Sequence, residues 1–302
     1  MRNSRIFDSI KGIRRRIPFQ NKIYSVLRGI GISENIYQHL PINGWITLKS
    51  QSGRSFRMFS YGDVVENSLF WSRDGRGDDT TSFQVWERLA TIADGMILDI
   101  GANTGLYAML AKAANPNATV KAFEPVNRIA KKLARNIMGN GYDIEVVEKA
   151  VSDKNGVATF HDSADPKSST NGYSASLENA FSFNDRSYQV NVVTLDSMLA
   201  DAKVSLIKID VELHEVSALR GMMAIIERDR PSILIEVISE EIAEEVTRML
   251  SPFGYEFYPI EEKKGLHAGN KLRPLPGHNF NNIACLPNLV QEANLSQLMA
   301  NT

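Results

Sequence analysis

Residues 96–105 read Met-Ile-Leu-Asp-Ile-Gly-Ala-Asn-Thr-Gly: an apolar run ending in Asp99, a glycine-bearing turn, then the start of a helical period. A strand that passes through a tight turn straight into a helix leaves backbone amides facing a ligand, so this stretch constrains the fold more than any other. Gly101 permits the sharp turn, Gly105 lets helix and strand pack closely, and Asn103 tolerates left-handed backbone angles. The triplet Phe-Glu-Pro closes the next apolar run with Glu124, 23 residues beyond Gly101, the spacing at which an acid can accept both hydroxyls of a ribose. Two separate features therefore point to an adenosine-bearing ligand.

The pattern around the motif supports an α/β fold. Strand-like runs at 96–100, 119–123 and 144–149 alternate with helical periods at 105–114 and 126–138, which predicts parallel strands joined by crossover helices. An insert with strand-like segments at 157–161 and 188–193 interrupts the alternation. It then resumes with a strand at 204–209, a helix at 212–227, a strand at 232–237, a helix at 240–250 and strands near 255–260 and 282–286. Upstream, residues 44–59 alternate around a Ser-Gly turn as a β-hairpin, with Trp45, Ile46, Leu48, Phe56 and Met58 as its apolar stripe; a helix is predicted at 83–93. The expected organisation is an N-terminal region over 1–94, a main domain over 95–287 and a soft tail over 288–302.

The identity of the adenosine ligand follows from charge. A short-chain dehydrogenase would need a Tyr-x-x-x-Lys pair, and no tyrosine here is followed by lysine at that spacing. Asp99 would repel a pyrophosphate at close range, whereas S-adenosylmethionine offers an ammonium and a sulfonium. The reading is S-adenosylmethionine rather than NAD.

With these residues in view, the chain resembles the FkbM family of S-adenosylmethionine-dependent methyltransferases over residues 95–287. Asp-Ile-Gly-Ala-Asn-Thr-Gly (99–105) is similar to the family's first motif and Ala-Phe-Glu-Pro (122–125) to its ribose block. Ala-Val-Ser-Asp (150–153), the Ser-rich stretch 171–177 and Val-Thr-Leu-Asp (193–196) follow in the family's order, as do Pro-Ser-Ile-Leu-Ile-Glu (231–236) and Asn-Asn-Ile-Ala-Cys (281–285). The most diagnostic block is Lys208-Ile-Asp-Val-Glu-Leu-His-Glu215, where the family shows Lys-x-Asp-Val-Glu-Gly-x-Glu and Leu213 stands in place of the glycine. The resemblance implies a class I, Rossmann-like sheet of seven mostly parallel strands with helices on both faces. It also implies O-methylation of sugars or small hydroxylated natural products. The cofactor-binding residues it designates are Asp99, Gly101, Ala102, Asn103, Gly105, Glu124 and Ala150, the last at the adenine edge.

Transfer from a sulfonium asks the protein mainly to align the acceptor, but an alcohol needs a base or a metal to take its proton. Open α/β sheets bind ligands at the carboxyl ends of their strands, where Asp210 and Glu236 are predicted to lie. Asp210 is expected near the methyl group, His214 or Glu236 as the base, and Glu212 beside them. Glu212 and Glu215 would also suit a helix start, where carboxylates favour the dipole. Lys208 is expected to pair with a nearby acid. Mg²⁺ would suit Asp210, Glu212 and Glu236 as hard oxygen ligands, although their spacing carries no metal signature and no metal ligand is assigned. The remaining histidines, His39, His161, His267 and His278, sit in polar or loop contexts.

Charge is uneven along a chain whose formal net charge is −1. Residues 1–30 hold eight bases against Asp8 alone, and Ile6, Phe7, Ile10, Ile13 and Ile17 recur at helical spacing up to Pro18. Such a basic amphipathic helix can rest on anionic membrane or pack on its own domain. Nucleic acid is not expected, because no binding motif accompanies the bases. A single cysteine, Cys285, and the lack of a spanning run or signal segment lead to an expected cytoplasmic location, with peripheral membrane contact through residues 1–30. Two other functions fit parts of the pattern: a cofactor-binding module without transferase activity, motivated by Leu213, and a membrane-surface accessory protein. An N-methyltransferase with an Asn/Asp-Pro-Pro-Tyr loop does not fit Asp210-Val-Glu-Leu213.

Overall fold

The computed structural model describes residues 23–27, 40–72, 80–162, 176–178, 186–277 and 279–300. The predicted N-terminal helix, the Ser-rich stretch 171–175, His39 and His278 lie outside the described residues.

Two strands, β1 (Gly44–Lys49) and β2 (Ser55–Ser60), pair as the predicted hairpin, followed by α1 (Val64–Trp71) and α2 (Thr80–Ile92). The first crossover units are β3 (Met96–Ile100), α3 (Leu106–Ala114), β4 (Val120–Phe123), α4 (Asn127–Asn140) and β5 (Ile144–Val147). The insert contributes β6 (Ala150–Val151), β7 (Gly156–Asp162) and β8 (Arg186–Val193), which form a separate three-stranded sheet. Next come α5 (Leu195–Met198), β9 (Val204–Ile209), α6 (Glu215–Arg220), α7 (Met223–Asp229), β10 (Ser232–Glu236), α8 (Glu240–Leu250), β11 (Glu256–Glu261), β12 (Gly265–Leu266), β13 (Asn281–Cys285) and α9 (Pro287–Glu292).

The large sheet runs β12-β11-β13-β10-β9-β3-β4-β5. Strands β10, β9, β3, β4 and β5 are mutually parallel, while β13 runs antiparallel to both β10 and β11. The seven predicted strands are all present, and the two-residue β12 makes the eighth. Strands β3, β9 and β10 are mostly apolar because both faces are covered, with Asp99, Lys208 and Glu236 near their carboxyl ends as the charged exceptions. Ile97, Leu206 and Leu234 enter the core under α2, α3 and α4; Leu98, Ile207, Ile233 and Ile235 enter the core under α6, α7 and α8. The helix predicted over 212–227 is two short helices, because residues 212 and 213 are left-handed and Gly221 interrupts the run.

The boundary expected near Asp94 is not a boundary of packing. A hairpin with one apolar face must bury it, and Ile46, Leu48, Phe56 and Met58 join Phe83, Trp86 and Leu89 of α2 in the same core as α3 and Leu133 of α4. Specific bonds fix the register: Asn136 Oδ1 accepts the Phe59 N–H at 2.8 Å, and Asn140 Oδ1 accepts the Arg57 N–H at 2.7 Å. Trp45 faces the other way and is 38% exposed. The start of α2 is held from far along the chain, where the Glu262 carboxylate accepts the N–H groups of Thr81 (2.7 Å) and Ser82 (3.2 Å) and the Ser82 hydroxyl.

Residues 288–300 also differ from the soft tail expected. Helix α9 and a 3₁₀ turn at Leu295–Leu298 bury Val290, Ala293 and Leu295, and the Ala300 N–H donates to the Leu266 carbonyl at 2.9 Å. Apolar residues at 289, 290, 293, 295 and 298 supply the burial that anchors a terminus.

If hairpin and sheet share one core, Phe56→Ala destabilises the whole protein by about 3–5 kcal/mol. Circular dichroism and tryptophan fluorescence should then report one coincident unfolding transition at lower denaturant; a separate early transition of the hairpin would contradict a shared core.

Candidate active site

A cavity of about 510 Å³ opens at the carboxyl ends of β3, β4, β9 and β10. On one side lies the turn after β3. Gly101 has φ +77°, and a Cβ there would overlap the carbonyl oxygen of Asp210, so the backbone of two strand ends meets where only glycine fits. Asn103 is left-handed at φ +48°, as expected. Gly105 is left-handed too, but the atom nearest its face belongs to Leu133 of α4, so the close approach it permits is to that helix and not to β3.

The two acids of this side are held by backbone amides. Asp99 Oδ2 accepts the Ala108 N–H at 2.9 Å, while Asp99 Oδ1 is buried without a hydrogen-bond partner. Burial pushes its pKa up to about 6 despite nearby Lys208. Glu124 Oε2 accepts from Asn103 N–H (3.0 Å) and Oε1 from Val126 N–H (2.9 Å), and burial pushes its pKa up to about 7. Each carboxylate oxygen has a second lone pair, so Glu124 can still accept from a ligand. Ala102 and Ala150 also line the cavity, Ala150 within an apolar slot of Val126, Ile129, Val151, Phe160 and Leu177.

The opposite wall carries Lys208, Asp210, Glu212, His214 and Glu236. Lys208 of β9 and Asp210, just past the strand's end, stand two residues apart and pair at 2.7 Å as expected; the ammonium also sits 4.7 Å from the Tyr107 ring centre. Burial works against the Lys208 charge, but Asp210 and Asp99 outweigh it and hold its pKa above the usual lysine value. Burial would likewise raise Asp210, yet Lys208 and a hydrogen bond from Glu236 keep its pKa below the ordinary carboxylate value. Glu236 is raised well above its ordinary value, by burial first and then by Asp210 and Glu212. Glu212 is pushed up to about 9, by burial and then by Asp210 and Glu215. Asp210 is therefore the anion of the group at neutral pH and Glu212 holds its proton, with Glu236 shifted in the same direction as Glu212. Oxygens of these three residues lie within 4.8 Å of one another, a donor set whose chemistry suits a hard cation.

The turn that presents this wall explains two further residues. Glu212 (φ +53°) and Leu213 (φ +74°) are consecutive left-handed residues, so position 213 has the backbone that a glycine would adopt freely. Glu215 Oε1 accepts the Leu213 N–H at 3.2 Å from inside the protein. The helix begins at Glu215, which corrects the placement of Glu212 at a helix start: Glu212 belongs to the turn.

His214 is held on both sides. Nδ1 lies 2.9 Å from Glu178 Oε1 and Nε2 lies 3.0 Å from Ser152 Oγ, so both ring nitrogens have protein partners although the ring borders the cavity. Ser176 donates its hydroxyl to the Glu212 carbonyl and exchanges backbone bonds with His161, fastening 176–178 against the turn. Sequence reading gave no role to Glu178, Ser152 or Val65 at the cavity or its edge: Ser152 stands in the 150–153 block without a function assigned to it, and Glu178 and Val65 arrive from other parts of the chain with no local signal. His267 pairs with Glu261 at 3.0 Å, and neither it nor His161 lines the cavity.

The Methyltransferase FkbM domain family matches residues 99–257, more than half of the chain. A curated relative, the AMB antimetabolite synthetase AmbE of Pseudomonas aeruginosa, is 36% identical over 67 residues, which is 22% of this chain and 3% of that protein. Among solved structures, a methyltransferase FkbM from Methylobacillus flagellatus is similar at 16% identity and a TM-score of 0.41, covering 63% of this chain and 43% of its own. The fibrillarin of Aeropyrum pernix, with S-adenosyl-L-methionine natively bound, is 11% identical with a TM-score of 0.40, covering 80% of this chain and 94% of its own. The chain spans less than half of the length of the first two relatives. The chain belongs to the FkbM family of S-adenosylmethionine-dependent methyltransferases.

Proposed function

We propose that the protein transfers a methyl group to a hydroxyl of a sugar or a small hydroxylated natural product. The observation that carries this reading is one cavity with two chemically distinct walls: amide-held acids with an apolar slot on one side, and a proton-rich carboxyl cluster on the other.

The first wall suits the cofactor. Asp99 Oδ1, buried and unpartnered, is an acceptor awaiting a cationic donor such as the ammonium of S-adenosylmethionine. Glu124 would take the ribose hydroxyls, residues 101–105 would pass beneath, and Ala150 would edge the adenine slot. When bound, the cofactor supplies a methyl group already activated by a positive sulfur. The chain's remaining task is to orient the acceptor and receive its proton.

The second wall suits that task. Asp210, the ionised member, can accept a hydrogen bond from the acceptor hydroxyl and direct its lone pair toward the first wall. Glu236 shares a proton with Asp210, and the pair can store or release the acceptor's proton together. This moves the base assignment from His214 to the Asp210–Glu236 pair, because His214 already spends both nitrogens on Glu178 and Ser152. Any hard cation would enter through the oxygens of Asp210, Glu212 and Glu236, in competition with the Lys208 ammonium at Asp210. Leu213 gives no support to a module without activity, since it adopts the turn a glycine would make.

Four outcomes test the reading. Incubation with methyl-labelled S-adenosylmethionine and matched panels of hydroxyl and amine acceptors should label hydroxyls; label on amines alone would sink the O-methyl assignment. Asp210→Asn should lower kcat about 10²-fold or more with cofactor affinity kept, whereas Asp99→Ala should weaken calorimetric cofactor binding about thirtyfold or more. Leu213→Gly should raise stability by ~1 kcal/mol in denaturant melts and leave transfer intact.

A fifth outcome concerns pH. Below the ordinary glutamate pKa of 4.5 both folded and unfolded chains hold the Glu212 proton; above it the unfolded chain releases it while the folded one keeps it up to about 9. The folded state then binds more protons, so the contribution of Glu212 to stability falls with rising pH across that window. Melting temperatures measured from about pH 5 to about pH 9 should fall more steeply for the native protein than for Glu212→Gln; parallel curves would refute the assignment.

A further inference from the structure

The surface on the far side of α4 from the core has a chemistry that the cavity does not use. Arg128, Lys131, Arg135 and Met138 follow one another at helical steps of three and four residues and are all exposed, Met138 at 80%. The helix has no acidic residue, while Ile129, Leu133 and Ile137 on the opposite face are buried. The outer face of the hairpin extends the stripe, because Arg57 and Phe59 of β2 bond directly to Asn140 and Asn136, and Trp45 pairs with Phe59 across the strands.

Charge on this surface is only partly balanced. Arg128 pairs with Asp162 and Lys132 with Asp63, but among the described residues no carboxylate pairs with Arg57, Lys131 or Arg135. The aromatic rings are already occupied: the Arg135 guanidinium lies 3.4 Å from the Phe59 ring centre and donates to the Tyr61 hydroxyl at 2.9 Å, and Arg57 lies 5.1 Å from the Trp45 ring. The guanidinium groups compete with nucleobases for these ring faces, which disfavours a nucleic-acid face. What remains outward is a row of cations with an apolar thioether at its end and a half-open indole beside it.

We propose that this face docks on an anionic lipid surface. The cations meet the headgroup charge, their long stems lie along the interface, and Met138 and the edge of Trp45 enter the acyl boundary. Single weak anchors hold proteins to bilayers only marginally, and the chain carries a second one in sequence, the eight bases of residues 1–30. The proposal concerns α4 and the hairpin and does not depend on the reaction assigned to the cavity.

The experiment is co-sedimentation of the full-length protein with phosphatidylcholine vesicles, with and without about one-third phosphatidylglycerol, at low and near-physiological salt. Expected is binding to the anionic vesicles alone, weakened by salt, and reduced roughly tenfold or more in the Lys131→Glu, Met138→Asp double variant with its melting temperature unchanged. Lys131→Glu alone serves as a milder variant should the double one fold poorly, with a reduction of roughly fivefold. Failure to bind, equal binding to neutral vesicles, or capture by single-stranded RNA in place of vesicles would each overturn the proposal. So would a double variant that binds as the native protein does while deletion of residues 1–22 abolishes binding, since the N-terminal segment would then act alone.

Discussion

One buried ammonium organises the site. Lys208 stands among Asp99, Asp210, Glu212 and Glu236, four carboxyl groups that could not share a small, low-dielectric space as anions. It pairs with Asp210 and its field also reaches Asp99, while Glu212 and Glu236 relieve the repulsion by holding their protons more tightly than free carboxyls do. The result is an ordered set of proton affinities, with Asp210 lowest, Asp99 raised to about 6 and Glu212 to about 9. A lysine at this point of β9 also links the two walls electrostatically, since its field reaches Asp99 on one side and Asp210 on the other.

The sheet supplies the precision that such a balance requires. Parallel strands end in register, so the turns after β3 and β9 are neighbours and the Gly101 backbone can rest against Asp210. Side-chain carboxylates are then fixed by amides of the same turns: Ala108 for Asp99, Asn103 and Val126 for Glu124, and Leu213 for Glu215. Local backbone geometry thus sets where charge is placed, and strained positions at Glu212 and Leu213 mark where the chain departs from easy conformations to achieve it.

Much of this was legible in the residues, for identifiable reasons. The strands at 96–100 and 204–209 and the helix at 240–250 agree with the prediction to the residue, because apolar runs and a Ser239 cap define them locally. Asp99, Glu124, Asp210 and Glu236 could be placed on one cavity because strand ends in a parallel sheet converge. The use of His214 could not be read, since Ser152 and Glu178 reach it from 62 and 36 residues away and neither interval has a periodic signature. The late start of the helix predicted from residue 212 escaped for another reason: Leu213 is a good helix former by propensity, and the backbone shows that it fills a left-handed position ahead of Glu215. The apparent boundary at Asp94 misled because local composition reports chain segments, whereas burial is decided by what packs across them.

The hold of Glu262 on the first turn of α2 carries a consequence in time. Thr81 and Ser82 leave the ribosome early, and the carboxylate that satisfies their amides follows 180 or more residues later. Until then α2 is an uncapped amphipathic helix, and the hairpin and α3 beside it form a nucleus whose edge is unfinished. Completion of the fold waits for the last third of the chain, so the growing polypeptide passes through a long interval in which the apolar face of α2 is a natural client for chaperones.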